Sequence, residues 1–281
     1  MGTNSIHSNL SKEDIIADIR LTLSADFEHA KTVVVVEGED DVVFLNGKLR
    51  SDVDIHESFS GKHGVKEIID YFSDDRVIGI CDTDYDQPTQ CPQLLYYDYS
   101  CLEMMLISKD SVFKCFCYTY YHGKLSPDEV RFQLLFDLRW LSYYRKLSAE
   151  RDWNIRFNGI SISAAFSQET KKLDIQCLIS QLSKINPGFI DNRERLQEIS
   201  VECRKDCPIE QCFLITQGHD FMHYFKALCE SVHHSKRKLP GESELFRSLV
   251  CAYRKEDFMD STLYRSLCEY ETTYGLTILL T

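Results

Sequence analysis

The run Val33-Val34-Val35-Val36 constrains this chain more than any other feature. Four β-branched residues in a row restrict χ1 and favour extended backbone. No polar residue alternates among them, so both faces of the strand must be covered, as in the middle of a parallel sheet. The run ends in Glu37-Gly38, and residues 40–49 follow with Val42, Val43, Phe44 and Leu45 as the apolar side of a helix. The same rhythm then repeats. Residues 53–59 read as a strand, Ser60-Gly61-Lys62-His63-Gly64 as a loop, 65–72 as a helix, and 76–81 as a strand closing on Asp82-Thr83-Asp84. Residues 94–97 make a short fourth strand and 102–107 a helix. Upstream, Ser11 and Asp14 form an N-cap pair before a helical stretch. Strand, helix, strand, helix, strand is the pattern of a parallel α/β sheet.

Past about residue 110 the pattern turns helical. Ser126-Pro127-Asp128-Glu129 carries an N-cap, a first-turn proline and a capping-box acid, and Val130, Leu134, Leu135, Leu138, Leu141 and Tyr144 recur at helical spacing. Further helices are expected near 168–184, 191–205, 218–232 and 242–270. The expected architecture is an α/β domain over residues 1–110, with a parallel sheet flanked by helices, followed by a mostly helical half over 111–281.

Two strand ends are loaded with carboxylates: Glu37, with Asp41 four residues on, and the pair Asp82 and Asp84. Ligand sites in open parallel sheets gather at the carboxyl ends of strands. Asp82 and Asp84 straddle one residue, so extended backbone would project both to one side. Crowded carboxylates repel unless protonated or shared with a cation, and Mg²⁺ or Mn²⁺ suits a set of oxygen ligands. Taken singly, each segment reads rather as ordinary helix capping or an Asp-rich turn than as a site. Taken together, each after a buried strand, they read as a metal site.

The segment VVVVEGEDDVVFL resembles the first motif of TOPRIM domains, a hydrophobic strand ending in Glu-Gly with an Asp four residues after the Glu. The segment VIGICDTDYD resembles the second, a strand ending in Asp-x-Asp. The resemblance spans residues 31–108. It is similar in particular to the TOPRIM effectors that bacterial anti-phage systems pair with ABC-type ATPases. Those proteins share a Gly-Lys loop, here Gly61-Lys62, an acid on the helix after the fourth strand, here Glu103, and a Gly-His-Asp helix start, here Gly218-His219-Asp220. The Asn-Tyr associated with the acidic position is missing around Glu103, which puts its orientation in doubt. The resemblance implies an Mg²⁺- or Mn²⁺-dependent nuclease. Asp82, Asp84 and Glu103 would hold metal, and Glu37 would bind metal or act as general base. Asp41 would belong to the catalytic set, and Lys62 would stabilise charge on the phosphate. Its substrate would be RNA, with tRNA the particular candidate, or DNA as for OLD nucleases. It further implies restraint by an ABC-type ATPase partner and a homodimer after release. No Gly-x-x-x-x-Gly-Lys-Ser/Thr loop occurs in the sequence, so nucleotide-dependent sensing would come from that partner.

Composition limits these readings. The formal charge is −12, which disfavours broad phosphate binding unless cations or a basic face intervene. The densest basic stretch holds Lys236, Arg237 and Lys238, a candidate backbone contact or a solvated loop. The first residues are polar and the twelve cysteines lack zinc-ribbon spacing, so reduced thiols in a cytoplasmic protein are expected. No apolar run is long enough to cross a membrane. His219 and His223, four apart, imitate a zinc-protease helix, but an Asp stands where that motif has Glu and no third ligand is evident downstream. They are expected to be structural histidines, with His219 a substrate contact at most. Two alternatives stay open: a non-catalytic TOPRIM interaction subunit, and a zinc hydrolase centred on His219 and His223. The aromatic segment Trp140–Tyr144 is either a partner-docking surface or core.

Overall fold

The computed structural model describes residues 11–86, 89–187, 193–204, 207–232 and 239–280. Within them the valine run forms strand β1 (Val33–Val36), and all four side chains are fully buried. At roughly 1.5–3 kcal/mol for a buried valine-sized side chain, this run anchors the sheet. It pairs in parallel with β2 (Asp54–Glu57) on one side and β3 (Val77–Cys81) on the other. A short β4 (Leu94–Tyr96) adds to β3, giving the all-parallel order β2-β1-β3-β4. Helix α1 (Lys12–Ala25), capped by Ser11 and Asp14, packs Ile15, Ile19 and Leu23 into one cluster with Val33, Val35, Val65, Ile68 and Ile69. Helix α2 (Glu39–Leu45) follows β1.

Helix α3 (Gly61–Tyr71) starts four residues earlier than the sequence pattern indicated, because the glycine-flanked segment is its first turn rather than a loop. Gly61 takes φ +50°, and its carbonyl accepts a 2.6 Å bond from the Ser58 hydroxyl. At Gly64 a Cβ would lie 3.0 Å from that same hydroxyl, so glycine lets strand and helix meet there. Lys62 therefore stands on a helix.

A second group of elements is helical: α4 (Leu102–Ser108), α5 (Asp110–Tyr120), α6 (Pro127–Glu150), α7 (Ile162–Ala165), α8 (Ile175–Ile185), α9 (Arg193–Arg204), α10 (Ile209–Phe213), α11 (Gly218–Val232) and α12 (Glu242–Ala252). The 24-residue α6 opens with the expected capping box and proline. Its aromatic segment is core and not a docking face. Trp140, Tyr143 and Tyr144 are buried, and the Tyr144 ring meets Trp153 and Phe157 edge-on. The aromatics that α6 does expose are Phe132 and Phe136, stacked with centroids 5.5 Å apart.

The described chain divides into two compact units, one of residues 11–83, 89–98 and 254–280, the other of 84–86 and the described parts of 99–253. This differs from a boundary near residue 110 in two respects. Helices α4 and α5 belong with the helical unit, where Phe113 meets Phe221 and Phe116 stacks on Phe225. The C-terminal helices α13 (Lys255–Met259) and α14 (Thr262–Tyr274) belong with the sheet. The Asp98 carboxylate accepts from the Thr262 and Leu263 N–H groups at the start of α14, Tyr270 donates to the Asp75 carbonyl, and Leu49 bridges Leu279. Apolar packing joins these bonds, since Phe258 of α13 meets Phe44 edge-on and α14 buries Leu263, Leu267 and Tyr270. Among the described residues no helix is long and apolar enough to cross a membrane, and the twelve cysteines are free.

Candidate metal centre

In the sheet unit the site is built by neighbouring strand ends. Val36 is level with Ile80 in the β1–β3 ladder, so Glu37 and Asp82 emerge side by side. A Glu37 carboxylate oxygen accepts the Asp82 backbone N–H at 2.7 Å. From the other flank of β1, Lys62 reaches over and donates to the Thr83 carbonyl at 2.8 Å. A Cβ on Gly61 would lie 3.6 Å from the second Glu37 oxygen, so the first turn of α3 runs close beside this carboxylate. The structure thus brings Glu37, Asp82 and Lys62 to one place. The adjoining Cys81 thiol has its pKa pushed up to about 12, by burial first and then by the Glu37 charge.

Asp41 has a different local task. Its carboxylate turns back and accepts the Gly38 N–H at 3.0 Å, capping α2. It is buried, and its charge still bears on the site through Tyr97. That residue follows β4 and is 2% exposed, and its hydroxyl lies against the Asp41 carboxylate. Its pKa stands well above the ordinary range, through burial and then through Asp41, Asp82 and Glu37. Tyr97 carried no sequence signal beyond its position at a strand end.

The helical unit holds the other sequence-predicted residues. Asp84 has φ +51°, in the left-handed region that Asp tolerates. The extended backbone that would have set Asp82 and Asp84 on one side therefore stops short of Asp84. The Asp84 N–H donates to the Ser100 carbonyl, and its carboxylate accepts from the Gln217 amide at 3.1 Å. Tyr85 donates to Ile215, and Ser100 to Thr216 at 2.5 Å, so the Asp84–Tyr85 turn is stitched to the segment that leads into α11. Glu103, on the first turn of α4, packs against Gly218, where a Cβ would overlap its carboxyl group. Burial pushes the Glu103 pKa up.

On α11, His219 and His223 both face Glu242 at the start of α12. His219 Nδ1 lies 2.5 Å from one Glu242 oxygen, and His223 Nε2 lies 3.1 Å from the other. The pKa of His219 is raised, chiefly by its bond to Glu242. Burial acts to raise that of Glu242, but the two histidines outweigh it and the net direction is down. The sequence showed no third group beside these histidines, and the fold sets Glu242 next to both from a separate helix. Asp220 is buried in a two-bond pair with Arg145, at 3.0 and 3.2 Å. Lys236, Arg237 and Lys238 lie outside the described residues.

No protein-family model matches the chain, and no curated protein matches it.

Proposed function

We propose that this protein is an Mg²⁺- or Mn²⁺-dependent phosphodiesterase whose centre lies at the strand ends of the sheet. The observation that carries the reading is the placing of Glu37 and Asp82 at adjacent parallel strand ends, where the Glu37 carboxylate accepts the Asp82 backbone N–H at 2.7 Å. The donors fit the ion, since carboxylate oxygens suit hard divalent cations. A bound ion would offset charge on the phosphate and lower the pKa of a water. Glu37 and Asp82 would bind it, with Glu37 placed to take a proton from that water. Lys62 would add positive charge beside the phosphate. Asp84 and Glu103 enter as ligands from the motif pattern alone.

The same resemblance makes tRNA the first substrate to test and DNA the second. It also proposes restraint by an ABC-type ATPase and self-association on release. A zinc hydrolase on the His219 helix is the weaker reading. Its water would need the acid after His219, and both Asp220 oxygens are bonded to Arg145.

The test incubates the purified protein with total tRNA and with plasmid, in Mg²⁺, Mn²⁺, Ca²⁺ or excess EDTA. Cleavage in the first two alone is expected, because Ca²⁺ takes longer, looser coordination. Undiminished cleavage in EDTA would overturn the reading.

A further inference from the structure

We propose that His219, His223 and Glu242 form a binding site for Zn²⁺ or a similar borderline transition ion, which ties the start of α12 to α11. Their ligand atoms all lie within 4.8 Å of one another. The histidines stand at i and i+4 on one face of α11, with ring centroids 4.0 Å apart. Glu242 gives one carboxylate oxygen to each imidazole. Zinc bonds of about 2.0–2.2 Å to nitrogen and oxygen in tetrahedral arrangement would need only small side-chain shifts from there.

Donor chemistry chooses the ion. Two imidazoles and one carboxylate suit Zn²⁺, Co²⁺ or Ni²⁺, whereas Mg²⁺ prefers oxygen alone and keeps its waters. The side chains of His219, His223 and Glu242 are 62%, 35% and 38% exposed, so an ion can enter from solvent. Three protein ligands leave a fourth position for water. The site has no general base of the zinc-protease kind, since Asp220 is engaged by Arg145. The ion would tie the two helices together with its fourth position left to water. Its ligands are distinct from those of the magnesium reading, although the charges of Glu242 and His219 reach Glu103.

The experiment is metal titration of the full chain, stripped by chelator, with Zn²⁺ by calorimetry and Co²⁺ by visible absorption. The variants are His223→Ala, Glu242→Gln and, as control, Glu37→Ala. Wild type and Glu37→Ala are expected to bind one Zn²⁺ per chain and to melt at higher temperature with Zn²⁺, a rise that His223→Ala and Glu242→Gln should lose. His223→Ala and Glu242→Gln should bind roughly tenfold more weakly or worse, as loss of a supporting group does at metal sites. Glu242→Gln keeps the shape of the side chain, and far-UV circular dichroism of the metal-free variants separates misfolding from ligand loss. Wild type that binds no Zn²⁺, or variants that bind it as wild type does, would overturn the proposal.

Discussion

The two units hold their carboxylates in different ways. In the sheet unit, backbone amides do much of the holding. Glu37 takes the Asp82 N–H, Asp41 that of Gly38, Asp98 those of Thr262 and Leu263, and Glu271 those of Ile278 and Leu279. In the helical unit, side chains dominate. Arg145 holds Asp220, Arg131 holds Asp110, the two histidines hold Glu242, and the Tyr224 hydroxyl holds Asp137. An amide fixes a carboxylate while adding only a partial positive charge, whereas a guanidinium cancels the charge outright. The first arrangement keeps a negative field that a cation can use, and the second is a means of stability. The sheet unit has exceptions, among them Arg76 with Asp74 at 2.7 Å and Asp26 at 3.2 Å, Lys12 with Glu67 at 2.6 Å and Arg50 with Asp52 at 2.8 Å.

The comparison breaks most readily at Arg145. Arg145→Ala leaves the Asp220 carboxylate buried without its cation, and a loss of about 3–5 kcal/mol in unfolding free energy is expected. A denaturant melt showing under about 1 kcal/mol would place the pair with ordinary surface ion pairs and remove the contrast.

Tyr97→Phe sharpens the other side. The variant deletes the buried hydroxyl that lies against Asp41, so stability should fall by about 1–3 kcal/mol. Cleavage should fall roughly tenfold or more, because a hydrogen bond to a charged group is worth about 1.5–3 kcal/mol. Lower stability with unchanged cleavage would make Tyr97 a plain core residue.

The smallest effect is expected in acid. Hydrogen bonds from Arg76 hold the Asp74 pKa below the usual carboxylate value, and the Lys31 N–H does the same for Asp26, with Arg76 adding to it. Groups depressed in the folded state contribute stability that is complete above their unfolded pKa, about 3.9. That stability drains as pH falls through the folded value. Melts from pH 6 down to 3 should therefore lose stability mainly below about pH 4, and Asp74→Asn should flatten that slope. An equal slope in the variant would assign the acid sensitivity elsewhere.

The sheet and its strand-end acids were legible because a buried parallel strand needs a β-branched run, and Val33–Val36 and Val77–Cys81 are local statements of that need. The start of α6 was legible for the same reason, as Ser126, Pro127 and Glu129 cap it within four residues. What escaped was made by distant partners. Glu242 joins His219 and His223 from a different helix, and Asp98 receives a helix that begins 164 residues later. Aromatic patterning showed that Trp140–Tyr144 belongs to an apolar face but not what covers it, which is partly Trp153 and Phe157. At Gly61–Gly64 the glycines suggested a loop, whereas here they let the helix begin against Ser58.

The central claim is that the Glu37–Asp82 pair holds the ion that hydrolyses phosphodiester bonds. Its most direct test compares wild type with Glu37→Ala for Mg²⁺-dependent cleavage of tRNA, at matched concentration and with thermal melts alongside. The account predicts a loss on the order of 10²–10⁴-fold, the scale for removing a group that moves a proton in the transition state, with the melting transition preserved. Wild-type cleavage by Glu37→Ala, with its fold intact, would contradict it.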